Sequence, residues 1–547
     1  MSTSDYWRRF SKQRLSRRRV LAAGAAGMGA AALGLAGCGG DKDEKGKTPA
    51  PSTPVSETPK TGGIYRQASI ATALSIDPHT EIAAGLGIIP YIYGYLLHDV
   101  QMPDGPPQDI LDHAASVEQP EDLTYVFKLR QGIHFQNLPP VNGREVVAED
   151  VIYSFDRIAS VSPEPLWKTY LASKAATDPY TVQIGLAKPY AYTMEDMGSV
   201  RTAIVPKEAV EEWENLETRG LGSGPFMVKD FSRGNNAEVT RNPDYYGGAS
   251  YLDGMSWRTI ADDAALRVAF RAKELDVYAP PTKLQADEVA GYGSDVIMTK
   301  EPFLLVTKMG INEVVRPELG DVRVREALDI GVDRDAMIEK LCFGEGNYTG
   351  PVSWGLTFWS LPQEELRQRF KRDIAKARQL LEAAGASDLT LELKFPTTTS
   401  SDVCAMIKDQ LVDIGVNINL VAQEFGTWIA DRSARKYELI VGGGLPYGSE
   451  KYPLQFNHTR DWTRDSIPVH QPEPEIDAML DQVMATPDVN ERQKLVLEVT
   501  RKLLDRHGPL VYLYAPYAFT ARWNYVRGYE DVPSGMTLYT YDIWLNK

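Results

Sequence analysis

"DLTYVFKLRQGIHFQN", residues 122–137, alternates apolar and polar side chains. Tyr125, Phe127 and Leu129 fall on one side; Thr124, Lys128 and Arg130 are among those on the other. Successive side chains of a strand point to opposite faces of its sheet, so this pattern predicts a half-buried strand. Gln131-Gly132 predicts a turn into a second strand. The following "AEDVIYSFDRIAS", residues 148–160, changes period. Val151, Phe155 and Ile158 recur at helical spacing, and Glu149-Asp150 place negative charge where a helix begins.

The second half repeats the theme in longer units. "DIAKARQLLEAAG" (373–385) predicts a helix stopping at Gly385. "LTLELKF" (389–395) alternates as a strand. "SDVCAMIKDQLVDIG" (401–415) sets Val403, Met406, Ile407, Leu411 and Ile414 on one helical face. "VNINLV" (416–421) is a further strand and, after a helix containing Trp428, "YELIVGGG" (437–444) is a third. Strand–helix–strand alternation implies a parallel sheet, whose ligands gather beyond the C-terminal strand ends. The segment leaving the third strand is "GGGLPYG" (442–448). Its glycines admit other atoms close to the backbone, making Gly443, Gly444, Leu445, Pro446 and Tyr447 the first site candidates; a tight surface turn is the competing reading. "GPLVYLYAPYAFTARW" (508–523) reads as a buried strand passing from one lobe to another, with "PFLLVTKMGIN" (302–312) as its counterpart.

The N-terminus is of another kind. In "SRRRVLAAGAAGMGAAALGLAGCGG" (16–40), three arginines precede an uncharged run from Val20 to Ala36 that ends at Cys38. The run is short for a membrane helix and built mostly of alanine and glycine, so it reads as an export signal. Ser16-Arg17-Arg18-Arg19-Val20-Leu21 resembles the twin-arginine motif, and Leu35-Ala36-Gly37-Cys38 resembles the lipobox of bacterial lipoproteins. That second resemblance implies removal of residues 1–37 and lipidation of Cys38. Residues 38–61, proline-rich and charged, bury too little to offset chain entropy and read as a tether.

Composition narrows the function. Residues 1–37 carry seven Arg or Lys against one Asp, so their removal takes the formal charge from −15 to −21. An acidic chain of this kind is repelled by nucleic acid and by anionic lipid. Beyond Cys38 there are two cysteines, Cys342 and Cys404; one disulfide or two buried thiols both fit. No metal-ligand spacing and no cofactor motif is present.

Several stretches together resemble one family, the extracellular solute-binding proteins of family 5, which serve peptide- and nickel-type ABC transporters. "GGIYRQASIATALSIDPHT" (62–80) is similar to its opening strand and Asp-Pro-His loop. Residues 123–137 followed by "VVAEDVIYSFDRI" (146–158) resemble its most recognisable block. "GSGPFMVKDFSRGNNAEVTRNPDYYGG" (222–248), "DVRVREALDIGVDRDAMIEKLCFGEG" (321–346) and "AKARQLLEAAG" (375–385) follow in the family's order. The resemblance implies an α/β, two-lobed periplasmic-binding-protein-like fold of the large cluster-C type, with two crossing strands at the hinge. It places lobe I at 62–303 with 515–547 returning to it, and lobe II at 304–514. It further implies a monomer without cofactor or bound metal. Such a chain would be anchored outside the cytoplasm through Cys38 and would pass a small solute to permease subunits.

Peptide binders of this family hold the ligand's amino group with an aspartate in an Ala-Asp-Tyr pattern just after the matching strand. Here the place reads Leu445-Pro446-Tyr447. A buried ammonium without its partner costs about 2–5 kcal/mol, which disfavours peptides with a free amino terminus. Glu450 is the nearest substitute. Trp354, Trp359 and Trp428 are candidates for stacking on a ligand, with core packing the alternative for each. The resemblance favours Trp428, and it sets Met309 on the first crossing strand, where backbone faces the cleft, with core packing an equal reading for its side chain. Asp77 and His79 lie in the Asp-Pro-His loop, which is equally readable as a turn. A metal-chelate carrier of the same fold is the alternative function. A lipid-anchored hydrolase is a weaker one, since no nucleophile elbow, His-Glu-x-x-His or phosphate loop occurs.

Overall fold

The computed structural model describes residues 58–70, 73–80, 87–102, 104–162, 166–397, 401–442, 448–455, 457–458, 473–529 and 542–547. The export signal, Cys38 and the tether up to residue 57 lie outside the described residues. So do Gly443, Gly444, Leu445, Pro446 and Tyr447.

The strand read from residues 122–137 forms as Thr124–Leu129, with Tyr125, Phe127 and Leu129 buried. It lies between Ala114–Glu121 and Thr181–Leu186 in a four-stranded antiparallel sheet completed by Leu171–Asp178. Gly132 makes the turn, at φ +75°. The expected second strand does not follow. Only an isolated bridge joins His134 to Glu145, made by Phe135 N–H to the Arg144 carbonyl and Val146 N–H to the Ile133 carbonyl, and it goes no further because Gln136 N–H turns away to the Gly222 carbonyl. The helix Ala148–Val161 buries Val151, Phe155 and Ile158. Its start is fixed by Asp150, which accepts from Val147 N–H at 2.9 Å and from both Arg144 amino groups.

A second four-stranded sheet orders Ile64–Ser69, Gly254–Thr259, Asn236–Arg241 and Phe226–Ser232. Both sheets pack into one apolar core, which Val526, Ile543 and Leu545 from the C-terminal end also enter. Leu454, Ile476, Leu480, Val483, Met484, Val496, Val499 and Leu503 are continuous with it.

The other large core surrounds the sheet Asn417–Gln423, Thr390–Pro396, Leu439–Val441, Thr307–Ile311 and Leu510–Trp523, in that spatial order. The first three strands are mutually parallel. Leu389, Leu391, Leu393 and Phe395 share one face and are all buried, while Thr390, Glu392 and Lys394 on the other face are exposed or half-buried. Helices Ile374–Ala383 and Ser401–Val412 supply the covering layer, the first stopping before Gly385 at φ +71°. On the second, Val403, Ile407 and Leu411 turn inward while Met406 is only half-buried.

One element joins the two cores. Leu510–Trp523 runs fourteen residues; its first half pairs antiparallel with Thr307–Ile311, its second half with Val296–Pro302. The chain crosses outward between Pro302 and Thr307 and returns on the long strand. Cys342 and Cys404 are buried free thiols, so the disulfide reading falls away.

Candidate functional site

The crossing brings three segments together. Gly346–Asn347 pairs with Pro516 and Ala515 on the long strand, and Phe303 N–H donates to the Pro516 carbonyl at 3.1 Å. Trp354 Nε1 donates to the Ala515 carbonyl at 3.2 Å, and its indole meets Tyr517 edge on. Lys300 Nζ stands 4.4 Å from the Tyr517 ring centre while donating to Glu345 at 2.7 Å. Gly355 is required here, since a Cβ would come within 2.5 Å of Pro302. Trp354 and Tyr517 are half-buried, so the crossing presents apolar ring surface with a cation beside it.

The candidate loop 443–447 is bracketed by residues held on different bodies. Gly442, at φ +102°, leaves the strand Leu439–Val441 of the parallel sheet. Ser449, on the far side of the loop, donates from Oγ to Glu195 at 3.1 Å, in the short helix Thr193–Met197 of the first body. Next to it, the fully buried Lys451 pairs with Asp196, and Ala191 N–H donates to the Met484 carbonyl at 2.7 Å.

Other sequence candidates are spent on packing. Met309 is 0% exposed in the second core, flanked by Val441 and Val511, so its side chain does not face the cleft: on this strand Met309 and Ile311 turn into the core while Thr307 and Lys308 stay half-buried. Trp428 is likewise 0% exposed, stacked on Phe425 at 6.0 Å with the Arg432 guanidinium 5.4 Å from its ring. Trp359 is buried against Phe358, and the Arg492 guanidinium lies 5.3 Å from its ring. Glu450 is no spare carboxylate, because its Oε1 faces Arg492 Nε at 3.5 Å in a buried pair.

Asp77 and His79 form a buried turn. Asp77 receives Arg157 Nη1 at 2.7 Å and the His79 backbone N–H at 3.1 Å. Burial works to raise its carboxyl, but the Arg157 hydrogen bonds and charge outweigh it, and the net shift is downward. His79 Nε2 lies 3.0 Å from the Ala203 carbonyl, and burial, with Arg157 next, lowers its pKa to about 4. This loop ties Ser75–His79 to the helix Ala148–Val161 rather than opening onto a ligand.

Sequence reasoning missed Tyr517, Lys300, Glu195, Asp196, Lys451 and Arg492. Tyr517 stands in the quoted crossing strand, where its ring could have been read as a wall of the crossing. The charged group spans too many sequence positions to leave a local signal. Among the described residues, no three His, Cys, Asp or Glu side chains are placed to hold a metal ion, and no helix is long and apolar enough to cross a membrane.

Comparison with known proteins agrees with this architecture. Residues 110–462 match the sequence profile of the bacterial extracellular solute-binding proteins, family 5 middle region. The chain is 22% identical over 463 residues to the oligopeptide-binding protein AppA of Bacillus subtilis, covering 77% of this chain and 80% of that one. Its fold is similar to DppA of Helicobacter pylori, solved with the peptide STSA, at TM-score 0.73 and 20% identity over 89% of this chain and 99% of the other. It is also similar to NikA of Staphylococcus aureus, solved with Ni(L-His)2, at TM-score 0.69 and 19% identity over 89% and 100%. The fold is thus the α/β periplasmic-binding-protein fold, and the profile covers well over half of the sequence. Its members bind solutes rather than transform them, so the hydrolase reading is set aside. The chain belongs to the bacterial extracellular solute-binding proteins of family 5.

Proposed function

We propose that this chain captures a peptide or similar small organic solute between two lobes and delivers it to the permease of an ABC importer. Lobe I comprises 62–303 with 515–547, and lobe II comprises 304–514. The observation that carries the reading is the crossing: Leu510–Trp523 joins the two cores, Gly442 leaves the parallel sheet at the C-terminal end of its strand, the edge where α/β ligands bind, and Ser449 bonds Glu195 of the first body. A ligand held there touches both bodies, so its binding energy favours the closed arrangement. The names of AppA and of the DppA complex support a peptide-like ligand. Trp354 and Tyr517 supply ring surface at the crossing.

Pro446 directs the choice within that class. The loop lacks a carboxylate, and the nearest one, Glu450, is committed to Arg492. Ligands whose amino terminus is blocked, or which have none, are favoured over free-amino peptides. Removal of residues 1–37 and lipidation of Cys38 place the folded body on the outer membrane face of the exporting cell, with 38–61 as tether.

A thermal-shift panel on residues 39–547 tests the ligand: free and N-acetylated di- to pentapeptides, oligosaccharides, small aromatic acids and nickel–histidine. A ligand at 100-fold its Kd stabilises by about 2.7 kcal/mol, enough to read. A response confined to free-amino peptides would overturn the Pro446 argument, and one confined to nickel–histidine would favour a chelate carrier. Replacing Cys38 by serine tests the anchor, with loss from the membrane fraction as the expected result.

A further inference from the structure

A cavity of about 560 Å³ opens on the body built around the parallel sheet, and neither Trp354 nor Tyr517 lines it. Its walls come from the helix Arg334–Cys342, the short strand Gly346–Asn347 that follows, and the helix Gln363–Arg369. Asp335 and Glu339, four positions apart on the first helix, contribute two carboxylates. Arg367 contributes a guanidinium from the other helix, and Asn347 an amide.

No ion pair joins these opposite charges. Nearby the chain does pair them: Arg369 bonds Glu365 and Asp505, and Arg372 bonds Asp413. Arg367 instead lies 5.6 Å from the centre of the Tyr348 ring, and Glu339 has no cationic partner among the described residues. Two carboxylates four apart on a helix repel each other, and a cation beside them relieves that. The Tyr348 ring, buried and stacked on Phe370, feels both signs. Burial first, and the Asp335 charge next, push its phenol up to about 12, while Arg334 and Arg367 pull the other way. Glycine keeps the space in front of Glu339 clear. Gly344 sits at φ +76°, and a Cβ there would stand 3.5 Å from Glu339 Oε2.

Cavities of about 300–1,000 Å³ are the ones that take small molecules. A lone cation would leave Arg367 without a partner, and a lone anion would meet two carboxylates. A molecule with an ammonium at one end and a carboxylate at the other satisfies both, since three ammonium donors suit paired carboxylates and the guanidinium fork suits a carboxylate. We propose that this cavity is a second binding site, taking a small zwitterion with its ammonium against Asp335 and Glu339 and its carboxylate against Arg367. The site is independent of the one between the lobes.

Calorimetric titration of residues 39–547, which contain every described residue, reads it directly. The probes are 4-aminobutanoate, 5-aminopentanoate and 6-aminohexanoate, each beside the alkylamine and the alkanoate of the same chain length. One of the three amino acids should bind roughly tenfold tighter than both of its single-charge analogues, through the charge-assisted hydrogen bonds added at its second end. Arg367→Gln should bring that amino acid down to the level of its amine, and Asp335→Asn/Glu339→Gln to the level of its alkanoate. All three positions are exposed, so the variants should fold, and circular dichroism checks it. Amino acids that bind no better than their analogues, or do not bind, overturn the site. So does binding that survives both sets of substitutions, because the probe then sits elsewhere, the cleft between the lobes included.

Discussion

Trp354 meets Tyr517 edge to face, ring centroids 5.0 Å apart, where the strand Leu510–Trp523 passes from one core to the other. The indole is fixed by its N–H bond to Ala515, and Lys300 Nζ lies 4.4 Å from the centre of the tyrosine ring. Two rings already held in place lose little entropy when a ligand packs on them.

Trp354→Ala and Tyr517→Ala should each weaken capture of the panel ligand. An aromatic contact is worth about 0.5–1.5 kcal/mol beyond its buried area, so each loss should be roughly 2- to 13-fold. Calorimetric titration of the singles and the double checks this. Unchanged affinity in both singles would remove the crossing from the site.

Met309 makes the opposite prediction. It fills the second core completely, so Met309→Ala leaves a cavity and should cost about 2–5 kcal/mol of stability. Chemical denaturation measures that cost, and ligand affinity of the folded fraction should stay within about threefold. A large affinity loss at unchanged stability would return Met309 to the cleft.

The contrast between these positions marks what the sequence carries. Tyr125, Phe127, Leu129, Val151 and Leu393 sit in unbroken periodic patterns, and periodicity reports burial directly. The failed second strand after Gly132 shows the limit. Its residues alternate acceptably, but Gln136 is drawn away by Gly222 and by its side-chain bonds to Ile92 and Phe226, partners far off in the chain. Met309 was ambiguous because an apolar side chain on a crossing strand suits cleft wall and core alike, and only its packing against Val441 and Val511 tells them apart. Lys451 and Asp196 are separated by 255 positions, and only folding brings them together. Gly94 is similar: a Cβ there would strike His113 at 1.7 Å, a constraint no local pattern announces.

Cys342 and Cys404 should be silent in the native chain. Both thiols are buried, and burial raises each to about 12, leaving almost no thiolate at pH 7.5. With Cys38 changed to serine, mass spectrometry after maleimide treatment should find no native label and two labels in denaturant. Prompt native labelling of either would contradict its packing.

Asp77 and His79 together set an acid limit on stability. Both have pKa values lowered in the folded chain, so both contribute stability above their unfolded values and lose it as pH falls. For His79 the loss begins near its ordinary value of about 6.5 and is complete near 4, a span worth on the order of 3 kcal/mol. His79→Gln keeps a neutral polar side chain and removes the titration, so its Tm should fall less than the wild type's between pH 7 and 4. Asp77→Asn should act at every pH in that range, because it strips the largely buried Arg157 of its partner, at a cost of about 3 kcal/mol. Differential scanning calorimetry of the three proteins across the range distinguishes the roles. If His79→Gln reproduces the wild-type slope, the acid sensitivity belongs to other groups and the Asp-Pro-His turn is only a packing element.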